Sequence, residues 1–99
     1  MTELSSRQIR KLKSLAHHLE PVVMVGQKGI TESLTRAVDK ALNDHELIKI
    51  KFVDFKDDKK NLTDVIVSSV NAAFVGIIGN IAVLYRENPD IPEKERIKI

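Results

Sequence analysis

Residues 22–34 read VVMVGQKGITESL. Val22-Val23-Met24-Val25 is short, rich in β-branched side chains and bounded by Pro21 and Gly26, which reads as a buried strand. Gly26-Gln27-Lys28-Gly29 interrupts it, and Thr31 can then cap a helix. In that helix Leu34, Ala37 or Val38, Ala41 and Leu42 face inward, leaving Glu32, Arg36, Asp39, Lys40 and Asn43 outside. The unit is strand, glycine loop, helix.

Upstream, Ser5 or Ser6 can cap a first helix in which Ile9, Leu12, Ala16 and Leu19 recur at the steps of one buried face. Glu20-Pro21 ends it, since the residue before proline is pushed out of helical dihedrals. Arg7, Lys11, Ser14 and His18 form a polar, basic stripe on its back. Downstream, Leu47 to Phe52 alternates, with Ile48, Ile50 and Phe52 on one face and Lys49 and Lys51 on the other, the pattern of a strand with one face on the core and one in water. The charged run Asp54 to Lys60 reads as a solvated loop.

From Asn61 or Thr63 a third helix can bury Leu62, Val65, Ile66, Ser69, Val70 and Ala73. Phe74 to Ile78 and Ile81 to Arg86 then flank Gly79-Asn80, a two-residue connection with glycine first that suits a primed hairpin turn. The segment Glu87 to Pro92 is too proline-broken for a helix, and Ile97-Lys98-Ile99 can add a short edge strand. The order is helix, strand, helix, strand, helix, strand, strand. It describes an α/β fold, a two-layer α-β-α-β-α-β-β domain with a four-stranded mixed sheet, without repeats. The whole chain, 1–99, is expected to form one domain, with a core at about 5–86 and a charged C-terminal tail at 87–99.

Ninety-nine residues, 42% hydrophobic and 30% charged, fit one small globular core and fall outside the composition of disordered segments. No apolar run reaches the roughly 18 residues of a membrane span, and the start lacks a signal peptide's apolar centre, so no membrane contact and a cytoplasmic location are expected. With no cysteine, disulfides, thiol catalysis and thiolate zinc sites are excluded. His17 and His18 point about 100° apart on a helix and cannot jointly grip a metal, and no nucleophile elbow or paired acid and base is recognisable. No catalytic residue, metal, cofactor or small-molecule substrate is therefore proposed.

The net charge is only +2, but residues 1–51 hold nine basic and six acidic side chains, while 52–99 hold seven and eight. The basic bias surrounds the glycine loop. Glycines let a backbone turn tightly and approach a ligand closely, and a following helix start favours anions. Lys28 adds a mobile cation. The loop matches neither the Walker pattern nor the dinucleotide fingerprint, so its bland alternative is a plain turn. Arg7, Arg10, Lys11 and Lys13 on the first helix, Arg36 and Lys40 on the second, and Lys49 and Lys51 on the sheet supply cations suited to a phosphate backbone. Phe52 and Phe74 sit at core-like positions and Tyr85 at a strand end; Phe55 is the freest ring, so no stacking platform is evident and binding should rest on backbone and shape.

The run LAHHLEPVVMVGQKGITESL, followed by HELIKIKF and later FVGIIGNIAVLYRE, resembles the CRM domain family, small RNA-binding domains typified by the bacterial YhbY protein. The resemblance rests on Ala16-His17, Leu19-Pro21-Val22, Gly26 to Gly29, His45 to Lys49 and Leu84-Tyr85-Arg86, and covers roughly Ser5 to Arg86. It implies a fold similar to the C-terminal domain of translation initiation factor three. It also implies RNA binding through Gly26, Gln27, Lys28, Gly29 and nearby cations, with precursors of the large ribosomal subunit as partner. Many members carry lysine directly after the first glycine, where this chain has Gln27. The expectation is a monomeric, non-enzymatic protein that contacts structured rRNA phosphates and assists large-subunit assembly. The alternative is a protein-interaction module of a ribosomal or translation complex, using the sheet face around Leu47, Ala82 and Leu84.

Overall fold

The computed structural model describes residues 3–99. Three helices, α1 (Ser6–Ala16), α2 (Glu32–His45) and α3 (Lys59–Val70), alternate with β1 (Val23–Val25), β2 (Leu47–Phe52), β3 (Ala73–Ile78) and β4 (Ile81–Tyr85). The sheet order is β1-β2-β4-β3. β1 runs parallel to β2, while β4 is antiparallel to both β2 and β3, which gives the expected four-stranded mixed sheet.

Local chemistry explains the elements. Ser5 and Gln8 form a reciprocal capping box on α1, and the Thr31 hydroxyl accepts the Leu34 N–H to start α2. The hairpin places Gly79 at φ +59° between the paired Ile78 and Ile81. A positive φ at the first central position and not at the second is the II′ pattern that matches strand twist.

The helices divide between the faces of the sheet. α2 and α3 cover the side carrying Val23, Val25, Ile48, Ile50, Phe52, Ala82 and Leu84, a continuous buried cluster completed by Val38, Leu42, Ile66 and Val70. That pair of layers is the one anticipated from the sequence. α1 lies on the opposite side, where Leu12 and Ala16 pack against Leu47, Val75, Val83 and Tyr85 as a second, smaller core. Burial on both sides removes the docking surface imagined around Leu47, Ala82 and Leu84, which are 3%, 1% and 0% exposed.

Three helical and strand expectations are corrected. α1 stops at Ala16, because the His17 N–H is shared between the Lys13 and Ser14 carbonyls and the Leu19 N–H turns back to Ala16. Leu19 consequently leaves the buried face. α3 begins at Lys59, and its inner side is Leu62, Thr63, Ile66, Val67 and Val70; Val65 and Ser69 face outward, and Ala73 belongs to β3. Ile97 to Ile99 forms no strand. Instead the tail folds back on Glu46, whose buried carboxylate accepts the Asn88 N–H at 2.8 Å and the Ile97 N–H at 3.0 Å.

The two leucines of the supposed α1 stripe should behave differently. Leu12→Ala should lower unfolding stability by about 2–5 kcal/mol, since Leu12 is fully buried, whereas Leu19→Ala should stay within about 1 kcal/mol. Urea denaturation of both variants checks this.

Candidate nucleic-acid interface

The end of the sheet that carries the C-termini of β1, β2 and β3 gathers three connections. The first is the GQKG loop, closed by a Gly29 N–H to Gly26 carbonyl bond of 3.0 Å, with Gly29 at φ +67°. Only this second glycine needs the left-handed region. Gln27 and Lys28 stand exposed at the tip, while Ile30 drops back onto the core. The second connection leaves β2: the Val53 and Asp54 N–H groups both donate to the Val25 carbonyl, tying it to the loop's base. The third is the hairpin turn, whose Asn80 carbonyl accepts the Phe52 N–H at 2.8 Å.

Phe55 is the contact that sequence reasoning missed. Its backbone has φ +54°, uncommon for a bulky residue, and its ring lies against Gly29: a Cβ placed there would sit 3.5 Å from Phe55 Cε2. The ring thus buttresses the loop while remaining 40% exposed. No sequence spacing signals this contact, because it depends on the left-handed turn after β2.

Beside the loop, a shallow concavity of about 640 Å³ runs along edge strand β1 and the start of α2, lined by Val22, Met24, Gly26, Lys28, Gly29 and Leu34 among others. The N-terminus of α2 is less open to an anion than its sequence suggests. Thr31 occupies the Leu34 N–H, and Glu32 in the first turn places a carboxylate at the positive end of the helix.

The cations fall into separate groups. Arg36 pairs with Glu32 at 2.6 Å, and Lys40 with Asp44 at 2.8 Å, both on the exposed side of α2. The hydrogen bond to Asp44, followed by its charge, raises the Lys40 pKa above the usual lysine value. Lys28 and Lys51 have no ion pair among the described residues, and both are exposed. Lys49 donates from Nζ to the Leu19 carbonyl at 3.0 Å. Arg7, Arg10, Lys11 and Lys13 are exposed on α1, and the Lys13 stem crosses Gly76 of β3, where an added Cβ would meet Cε at 2.7 Å. Lys13, Lys49 and Lys51 therefore share the α1 side of the sheet, whereas Arg36 and Lys40 lie on a helix covering the other side. No group of three His, Asp or Glu residues that could hold a metal occurs among the described residues, and none of their helices is long and apolar enough to cross a membrane.

Known proteins resemble this chain in sequence and fold. Residues 4–86 match the CRS1 / YhbY (CRM) domain. The chain is 46% identical over 91 residues to an RNA-binding protein of Haemophilus influenzae, covering 91% of this chain and 92% of that one. It is 34% identical over 88 residues to a Bacillus subtilis protein named probable RNA-binding protein YqeI, covering 88% and 92%. Among solved structures it is similar to a hypothetical Staphylococcus aureus protein described as a candidate RNA binder, with a TM-score of 0.78, 35% identity, and coverage of 92% of this chain and 96% of that one.

The two loop glycines should tolerate substitution unequally. Gly29→Ala forces a side chain into the left-handed region and should cost about 1 kcal/mol, although the space beside Phe55 admits the methyl group. Gly26→Ala meets nothing within 4 Å and should change stability by less than about 0.5 kcal/mol. Chemical denaturation measures both.

Proposed function

This chain belongs to the CRS1 / YhbY (CRM) domain family, and on that premise we propose that it is an RNA-binding protein without catalytic activity that docks phosphates of structured rRNA on Gly26 to Gly29. The observation that carries the reading is the GQKG turn itself. Its tip is exposed, its second glycine holds a φ of +67°, and Lys28 extends from it with no carboxylate partner among the described residues. A small turn of this kind brings backbone N–H groups and one mobile cation to a phosphate without the bulk that would hold the strand away.

The remaining cations act in support. Lys13, Lys49 and Lys51, with Arg7, Arg10 and Lys11 of α1, form the basic side of the sheet that a phosphate backbone crosses. Arg36 and Lys40 contribute less, since each must leave a carboxylate to reach RNA. The protein works as a monomer in the cytoplasm, and its task is assembly of the large ribosomal subunit. The names of the relatives support RNA as the partner, and the loop geometry supports a phosphate-directed contact.

Binding to rRNA fragments should weaken as salt rises, with a slope set by the phosphates neutralised. Lys28→Ala should reduce that slope by about one phosphate's share, and adding Gly29→Asp should weaken binding by at least about tenfold. Filter binding across a salt series gives both values, and an unchanged affinity for the double variant would remove the loop from the interface.

A further inference from the structure

α1 covers only part of its side of the sheet. Leu47, Val75, Val83 and Tyr85 lie beneath it, but the end nearest the GQKG loop is left open. There the strand register aligns Met24 with Lys51, Lys51 with Ile81, and Ile81 with Ile78, one row across all four strands. Alternation places the row on the α1 side: Met24 stands between the buried Val23 and Val25, and Ile81 is two residues before Val83. Met24 and Ile78 are each 60% exposed, and Val22 and Val53, which flank β1 and β2, are 50% and 53% exposed. Two large, mostly exposed apolar side chains, Met24 and Ile78, thus stand in one row of this open surface, with the half-buried Ile81 between them. Clustering of this kind marks an interaction site rather than the usual scatter.

The row itself carries a single charge, the cation Lys51, with further lysines beside it. Lys51 occupies the middle of the row, Lys49 is two residues before it, and Lys13 reaches its border over Gly76, a position where any side chain would displace the lysine stem. Asp54, the nearest carboxylate in the chain after β2, is turned to its own backbone and accepts the Phe55 N–H. A protein partner would find a lysine at the centre of the patch, where interfaces are depleted in that residue. An unpaired nucleic-acid strand would find what it needs, apolar contact for its bases and cations for its phosphates.

We propose that the open row Met24, Lys51, Ile81 and Ile78 receives unpaired nucleotides of the RNA, entering from the GQKG loop, which Met24 precedes by two residues. This rests on the loop reading above and adds a second contact of different character. The loop and its cations hold phosphates of a folded RNA, while the row packs against exposed bases with aliphatic side chains in place of aromatic ones. Three interstrand steps of about 4.8 Å leave room for about two bases.

The test compares a short blunt RNA hairpin with the same hairpin carrying an unpaired 3′ extension, each titrated against the full chain and against a Met24→Ser, Ile78→Ser variant. Both positions are mostly exposed, and an unchanged melting temperature confirms that the variant folds. The wild-type protein should bind the extended hairpin more tightly, and the variant should lose that gain, about tenfold, while binding the blunt hairpin as before. Lys51→Met should lower the salt slope on the extended hairpin by about 0.7. Photocrosslinking from thiouridine in the extension should reach the β1 peptide containing Met24. No gain from the extension, or a gain that survives in the variant, overturns the proposal. So does a nuclease-resistant protein partner lost by the variant while the RNA gain remains. Lys28→Ala read on the blunt hairpin judges the loop separately, while the difference between the two hairpins still decides the row.

Discussion

The alternation in β2 is the constraint on which the rest depends. Ile48, Ile50 and Phe52 are each no more than 1% exposed, so this face of the strand must stay beneath α2 and α3. A slip of one residue against β1 or β4 would drive Lys49 and Lys51 into that core and expose three large apolar side chains, a change far larger than the few kcal/mol that separate folded from unfolded chains. Register is thereby fixed on both sides of β2, and with it the side of the sheet on which the lysines emerge. α1 meets that other side only where Leu47, Val75, Val83 and Tyr85 offer apolar contacts. Its end at Ala16 leaves the lysine half of the face uncovered.

The motif that identifies the family mixes two kinds of residue. Ala16 is buried against the sheet; Glu46 anchors the tail and passes its carbonyl to the Arg86 N–H. Arg86 in turn bonds Asp39, Asn43 and the Val70 carbonyl, joining α2 to the end of α3. These three hold the scaffold. Gly26 to Gly29, Lys49 and Lys51 belong to the accessible surface instead. A buried carboxylate with two N–H donors strongly resists removal, because each donor would lose its partner. Glu46 and Arg86 therefore serve the stability of the fold.

Much of this was legible beforehand because it follows from local periodicity. The strand, glycine loop and capped helix at Val22 to Leu34, the alternation of β2 and the Gly79 turn all depend on neighbours within a few residues, although the strand expected to be buried is an edge strand, Val23–Val25, that leaves Val22 and Met24 exposed. Long-range features were not. Nothing local shows that α1 packs on the opposite face from α2 and α3, and the apolar steps of α1 suggested an extra turn that the chain's path toward Pro21 does not permit. Glu46 sat in a recognised motif, but its role depends on amides about 42 and 51 positions away. Val65 and Leu19 show how an apolar residue at a helical step can still face water when the helix begins or ends elsewhere. The loop cations were found as residue types, whereas their division between the sheet face and the outer side of α2 required the sheet topology.

The proposed RNA contact lies at the GQKG end of the sheet and on its open α1-side face. An amide-resolved NMR titration with an rRNA fragment tests it most directly. The largest chemical-shift changes should fall at Met24 to Gly29, at Lys51 and at Ile78 to Ile81, with the outward face of α3 around Val65 and Ser69 unaffected. Changes concentrated on the outer surfaces of α2 and α3, with the loop silent, would contradict it.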